Sequence, residues 1–166
     1  MNRSLAAALK FVAVFLLLVT AHGRAYAQAS CSVSVTPLNF GAYTGNQVQV
    51  TGTVDLTCSG PSGTRVNYSI AASPGNSNNY AQRFMRRSLP PVETLNYSLT
   101  ILLGTTTANW GDGSNGTSAW TGRTPPINAG NPQRIATTTI TGTVAAGPVP
   151  SSGSYVDVIT VTATWN

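Results

Sequence analysis

Hydrophobic and polar positions alternate along the last stretch of the chain, "GSYVDVITVTATWN". One face of an extended chain would carry Tyr155, Ile159, Val161, Ala163 and Trp165, and the other would carry Val156, Val158, Thr160, Thr162 and Thr164. The second face is entirely β-branched, as strands prefer. The pattern predicts one long strand over Tyr155–Trp165, wedged into a sheet with a free edge.

The rest of the chain is also predicted to be strand and turn, because no segment carries an apolar period of 3.6 residues. Candidate strands are Cys31–Val35, Gln47–Cys58, Arg65–Ala72, Leu95–Leu103, Gln133–Val144 and Tyr155–Trp165. Turns rich in Asn, Gly, Ser, Thr and Pro separate them. Six strands predict an all-β, immunoglobulin-like β-sandwich. Such a sandwich needs at least seven strands, so the sequence predicts an incomplete one.

A long loop is predicted from Gly104 to Pro132, and loops of this length are functional or disordered. It carries two tryptophans. Trp110 begins a tight "WGDG" turn and is expected to plug one end of the sandwich. Trp120 is left open between burial and a candidate adhesive loop, in which an exposed ring would stack on sugars or on a surface.

Residues 1–27 are predicted to be a secretory signal peptide. Basic Arg3 and Lys10 precede the apolar run Phe11–Ala21, and Ala25-Tyr26-Ala27 fits a cleavage site. The run is short of the about 20 residues that a membrane span needs, although an uncleaved anchor is the alternative. Cleavage would leave one domain, residues 28–166, with no membrane span, secreted through the periplasm to the cell surface.

The charge changes once the signal is set aside. The whole chain has a formal net charge of +5, whereas residues 28–166 hold six arginines against four carboxylates, a net charge of +2. The one basic cluster is Arg83, Arg86 and Arg87, which is expected to lie in a solvated loop. A cluster this small in an exported protein does not indicate nucleic-acid binding.

Residues 28–166 contain no histidine and no lysine. The commonest general base, the imidazole metal ligand and the Schiff-base nucleophile are therefore missing from their sequence. Two carboxylates could hydrolyse a glycoside. However, Asp55 and Asp157 fall in predicted strands and Asp112 falls in a turn. We therefore expect no enzyme activity, no cofactor and no metal.

Two cysteines, Cys31 and Cys58, remain after the signal. An even count in an exported chain favours a disulfide. Metal binding would need more ligands, and a redox pair would need a closer spacing. The bond would close 26 intervening residues and stabilise the fold by roughly 3–4 kcal/mol on the chain-entropy model. It is expected to join the first two strands.

An ordered set of short motifs resembles one family. "CSVSVTPLNFGAYTG" at Cys31–Gly45 resembles the opening of spore coat protein U domains, with its Phe-Gly-x-Tyr turn. The pattern continues through "VTGTVDLTC", Arg83 and Met85 ahead of "LNYSL", "WGDG", "TGTV" and the final "GSYVDVITVTATW". Together these motifs span nearly all of residues 28–166.

The resemblance implies a structural subunit of an archaic chaperone–usher pilus or surface coat, immunoglobulin-like but lacking its seventh strand. Such a subunit accepts a donor strand in a hydrophobic groove, first from a periplasmic chaperone and then from another pilus subunit, during assembly at an outer-membrane usher. The residues implied at the groove are Val33, Val35, Ile159, Val161, Ala163 and Trp165, with the carboxylate of Asn166 as the chaperone's anchoring point.

One departure from the family bears on assembly. Polymerising members carry an alternating apolar extension before the first cysteine, whereas only Gln28, Ala29 and Ser30 precede Cys31 here. The chain is therefore expected to accept a strand without giving one, at a fibre end or in a coat that does not polymerise. The alternative function is a carbohydrate- or surface-binding adhesin module.

Overall fold

The computed structural model describes residues 28–166, so the predicted signal peptide at residues 1–27 lies outside the described residues. Eleven β-strands and one 3₁₀ turn, Gly75–Ser77, make up this part of the chain. The strands are β1 Ser30–Val35, β2 Val48–Ser59, β3 Asn67–Ala72, β4 Phe84–Arg87, β5 Thr94–Asn96, β6 Ser98–Leu103, β7 Thr106–Asn109, β8 Trp120–Arg123, β9 Gln133–Val144, β10 Tyr155–Val156 and β11 Val161–Trp165.

The strands form two layers, which confirms the predicted all-β sandwich. One layer is an antiparallel sheet in the order β1-β2-β9-β6-β7. Its longest pairing joins β2 to β9, from Val48 opposite Val144 to Ser59 opposite Gln133. The other layer consists of two three-stranded sheets, β11-β3-β8 and β10-β4-β5. The first strand, β1, and the last strand, β11, both lie at sheet edges.

The core lies between the layers and follows the alternation of the sequence. Val54, Leu56 and Cys58 occupy alternate positions of β2 and are fully buried. They belong to one cluster with Ile70 of β3 and Trp110. The Trp110 indole N–H donates to the Ile70 carbonyl at 3.3 Å, so this tryptophan is buried as predicted.

The predicted disulfide is present. Cys31 and Cys58 lie directly opposite each other in the β1–β2 ladder, and their sulfurs are 2.06 Å apart. The bond ties an edge strand to the long β2–β9 pair, with Cys58 fully buried. The edge of the five-stranded sheet is therefore held covalently as well as by its backbone hydrogen bonds.

The strand count of six was too low. The region from Gly104 to Pro132 is not one loop, because it contains β7 and β8. Strand β4 lies in a segment that carried no strand prediction, and the candidate strand Leu95–Leu103 is divided at Tyr97. These elements are three to six residues long, and a strand that short offers too few alternations to show a period.

The expectation of a solvated arginine cluster was wrong for Arg83. Its side chain is 1% exposed and donates to the carbonyls of Ser73 at 2.5 Å and Trp110 at 2.9 Å. The guanidinium also lies 5.3 Å from the centre of the Tyr80 ring, a cation–π distance. Arg86 and Arg87 lie in β4 rather than in a loop, Arg86 exposed and Arg87 half-buried. Arg83 is therefore a structural residue that satisfies buried backbone oxygens.

Candidate functional site: a groove beside the last strand

The last strand is split where the sequence predicted continuity. Tyr155 and Val156 pair with β4, whereas Val161–Trp165 pairs with β3. In the gap, the Asp157 carboxylate accepts from the backbone N–H of Asn76 at 2.7 Å and of Val158 at 2.8 Å. Residues 157–160 lie outside both ladders, and these bonds accompany the break, since a carboxylate that binds nearby N–H groups competes with ladder pairing.

The two-faced pattern of the last strand nevertheless holds across the gap. Ile159, Val161 and Ala163 are half-buried, whereas Val158 is 69% exposed and Thr162 is exposed. One row of side chains therefore faces the sandwich and the other faces solvent, as the alternation predicted, except that Trp165 at the end of the inward row is 39% exposed.

An apolar groove of about 1130 Å³ lies beside this strand. One wall is residues 149–159 with Val161, and the opposite wall is residues 35–43. Between the walls lie Val48, Met85, Leu95, Tyr97, Leu99, Trp110, Ile140 and Val144. The groove is thus bordered by the first and last strands and opens onto the core.

The residues implied by the family resemblance divide between three places. Val35, Ile159 and Val161 line the groove. Val33 and Ala163 pack against the core cluster beyond it. Trp165 and Asn166 border a separate shallow pocket beside Tyr68, and the backbone of Asn166 pairs with Asn67 in both directions at 3.1 and 3.2 Å.

A polar pair interrupts the apolar lining. The Tyr97 hydroxyl donates to Asp157 at 2.6 Å, and both residues line the groove. Burial raises the pKa of the Tyr97 phenol, and its hydrogen bond to Asp157 raises that pKa further. Tyr97 therefore stays a neutral donor and holds Asp157 in the segment that separates β10 from β11.

Sequence patterns missed the segment that crosses the groove. Residues 36–43, here called the crossing segment, leave β1 and lie over the core face of the five-stranded sheet. A Cβ added to Gly142 would lie 2.6 Å from Phe40 Cζ and 2.9 Å from Leu38 Cδ1, and one added to Gly52 would lie 3.0 Å from Leu38 Cδ2. The sequence carried the Phe-Gly-x-Tyr motif at residues 40–43, which indicated only a family turn, and the spacing Leu38-x-Phe40, which is too short to identify an element.

Two charged residues hold the wall formed by residues 149–159. Glu93 accepts from the Ser151 N–H at 2.8 Å, the Ser151 hydroxyl at 2.6 Å and the Tyr155 hydroxyl at 2.9 Å. Arg87 donates through Nη2 to the Ser152 carbonyl at 2.6 Å. The hydrogen bonds from Ser151 lower the pKa of the Glu93 carboxyl.

The tryptophan offered as an adhesive residue is not on the surface. Trp120 is 7% exposed in β8 and packs edge-on against Tyr68, with ring centres 5.1 Å apart. Of the two alternatives left open for Trp120, the exposed adhesive ring does not apply, because the segment that carries it is a strand rather than a loop. The buried interpretation of Trp120 applies.

Residues 28–166 hold no cluster of three or more His, Cys, Asp or Glu side chains suited to a metal ion. Across the same residues, no helix has both the length and the apolar character needed to cross a membrane.

A family model for the Spore Coat Protein U domain matches residues 14–162, which is most of the chain. The fold and the groove described above define an immunoglobulin-like sandwich with open edge strands. The protein belongs to the Spore Coat Protein U domain family, as the motifs from Cys31 to Trp165 suggested. No curated protein matches this sequence.

Two solved structures resemble the fold. A chain in the crystal structure of the CsuC-CsuE chaperone-tip adhesion subunit pre-assembly complex, from archaic chaperone-usher Csu pili of Acinetobacter baumannii, has 22% identity and a TM-score of 0.53. The match covers 82% of this chain and 39% of that one. A chain of a chaperone-tip adhesin complex of CFA/I fimbriae biogenesis has 18% identity and a TM-score of 0.47, covering 84% and 42%. The protein thus spans about two fifths of the length of either structure.

Proposed function

We propose that this protein is a structural subunit of an archaic chaperone–usher pilus or surface coat, and that its groove accepts a β-strand from another protein. Family membership and the fold shared with the Csu pre-assembly complex support this role. Its partners in this proposal are a periplasmic chaperone, an outer-membrane usher and other pilus subunits. Secretion would deliver it through the periplasm to the cell surface.

The observation that carries the proposal is the apolar groove beside an open strand edge. Strand β11 pairs with β3 on one side only, and β1 pairs with β2 on one side only. An edge strand presents unpaired N–H and C=O groups, which a guest strand can pair. A guest with alternating side chains would place one row among Val35, Ile159 and Val161.

The position in the fibre follows from the same proposal. Residues 22–30, "HGRAYAQAS", lack the alternating apolar face that a donor strand needs. We therefore assign the chain the role of acceptor, suited to a fibre end or a coat. Asn166, at the end of the β11–β3 ladder, is the proposed contact for the chaperone.

The test supplies a guest strand within the same chain. The full-length protein is secreted with a Gly/Ser hairpin linker after Asn166, followed by about ten residues that alternate Val and Thr to match the span of the last strand. We expect the melting temperature to rise by several degrees over the untailed protein. A tail of the same composition with Val and Thr paired, rather than alternating, should give no rise.

Two neighbouring substitutions locate the binding face. Val161→Asp places a charge in the groove and should abolish the rise that the alternating tail produces. Thr162→Asp adds the same charge on the exposed face and should leave that rise largely intact. Equal effects of the two substitutions, or stabilisation by the paired tail, would rule out a strand-accepting groove.

A further inference from the structure

The crossing segment, residues 36–43, occupies space that belongs to the groove. It lines the cavity together with the wall formed by residues 149–159 and Val161. Leu38 and Phe40 are half-buried, whereas Asn39 and Gly41 between and beyond them are exposed. The segment therefore has the alternation of a strand without lying in one, and its apolar row faces the core.

Two glycines leave the room in which Leu38 and Phe40 pack. Gly52 and Gly142 lie on the buried face of β2 and β9, where neighbouring positions carry Val54, Ile140 and Val144. Neither glycine has a positive φ, so the backbone does not require glycine at these positions. A methyl group at Gly142 would lie 2.6 Å from Phe40 Cζ, closer than real side chains approach. The reason for glycine is steric, since it leaves room for Leu38 and Phe40.

The crossing segment is attached mainly at its two ends. The Thr36 N–H donates to the Thr53 carbonyl at 2.9 Å, which continues the β1–β2 ladder by one residue. At the other end, the Tyr43 hydroxyl donates to the carbonyls of Ala145 at 2.9 Å and Gly147 at 3.2 Å. Between these anchors, Phe40 packs against Tyr97 with ring centres 5.9 Å apart.

We propose that the crossing segment is a built-in occupant of the groove that sets the register of the guest strand. Leu38 and Phe40 fill the positions over Gly52 and Gly142, so the side chains of a guest can insert only beyond them. This inference rests on the proposed strand-accepting function and names the residues that would determine its specificity. The two covered glycines lie toward the end of the sheet at which β2 begins and β9 ends, and Val48 and Val144 at that end still line the groove.

The experiment is a tail-length series in the full-length secreted protein. Tails of alternating Val and Thr, each about two residues longer than the last, follow the hairpin linker after Asn166. In the native sequence the melting temperature should stop rising once the tail meets Phe40. In Phe40→Ala the rise should continue for about one further Val–Thr step, by about 3 °C. Ile135→Ala is the control, because Ile135 is 65% exposed on β9 and does not line the groove.

A second variant distinguishes an effect on guest register from a general loss of stability caused by Phe40→Ala. Gly142→Ala should displace the Phe40 ring from its position over Gly142 and reduce the temperature rise that the tail gives. The double variant Gly142→Ala/Phe40→Ala should recover that rise, because the new methyl then meets no ring and only the flexible end of Leu38, at 2.9 Å, has to move. The same length limit in the native protein and in Phe40→Ala, or an unchanged tail effect in Gly142→Ala, would overturn the register role. If no tail stabilises even the native sequence, the strand-accepting function itself fails.

Discussion

At the scale of single residues, the face of a strand on which a side chain lies could be predicted from sequence, whereas the burial of a polar side chain could not. The alternation of Val161 and Thr162 indicated which side chain faces the sandwich, because a strand's two-residue period is visible in the sequence. Arg83 had no such pattern around it. Its burial depends on the carbonyls of Ser73 and Trp110, which the fold brings together from distant parts of the chain.

Arg83 provides a stability prediction with an internal control. Arg83→Met keeps much of the apolar stem but leaves two carbonyls without their donor, so unfolding should cost about 3 kcal/mol less. Arg86→Met, three residues along the same segment and exposed, should change that free energy by less than about 0.5 kcal/mol. Urea denaturation followed by tryptophan fluorescence measures both. Comparable losses in the two variants would contradict a structural role specific to Arg83.

At the scale of elements, the long strands could be predicted and the short ones could not. Strands β2 and β9 have twelve residues each, enough for the period to be seen above the turn residues around them. The gap between β10 and β11 could not be predicted for the opposite reason. There the pattern was regular, but Asp157 bonds to Asn76 and Tyr97, partners that sequence alone does not place beside it.

The groove wall formed by residues 149–155 should depend on pH through Glu93. Its folded pKa is lowered below the ordinary value of 4.5, chiefly by the Ser151 hydroxyl and N–H. The stabilisation from a lowered carboxyl pKa is complete above the unfolded pKa and is lost as pH falls through the folded one. Glu93→Gln should therefore unfold at lower urea than the native protein at about pH 7, and the difference should shrink at about pH 3.

Ser151→Ala and Ser152→Ala separate the side-chain contribution to this wall. Ser151→Ala removes the hydroxyl that most lowers the Glu93 pKa, so it should reproduce part of the pH dependence of Glu93→Gln. Ser152 contributes its carbonyl to Arg87, and Ser152→Ala should leave the pH profile unchanged. A native profile identical to that of Glu93→Gln would show that Glu93 does not hold the wall.

At the scale of the whole molecule, the family could be predicted from ordered motifs, but the interior of the groove could not. The family resemblance implied a strand-accepting groove between the first and last strands, and Val35, Ile159 and Val161 line a cavity beside the last strand. It did not reveal that Leu38 and Phe40 enter the same space, because that contact depends on where the chain turns after β1. The sequence also bears on another property of the whole molecule, namely whether the protein can donate a strand to a second copy.

The polymerisation prediction adds a donor strand to a chain that is proposed to lack one. Secreted protein that begins at Gln28 has only three residues before Cys31, too few to fill a groove bordered by Ile159 and Val161 of another copy. It should give no strand-exchanged polymer at any concentration that keeps it soluble. Insertion of about ten alternating Val and Thr residues before Cys31 should produce ladders of multimers on native gels, since one copy's strand can then enter the next copy's groove.

An insertion of the same composition with the alternation broken is the control. Val161→Asp in the protein with the alternating insertion should stop the ladder, whereas Thr162→Asp should not. Ladders from the chain without the insertion would show that residues 28–30 or another segment already act as a donor.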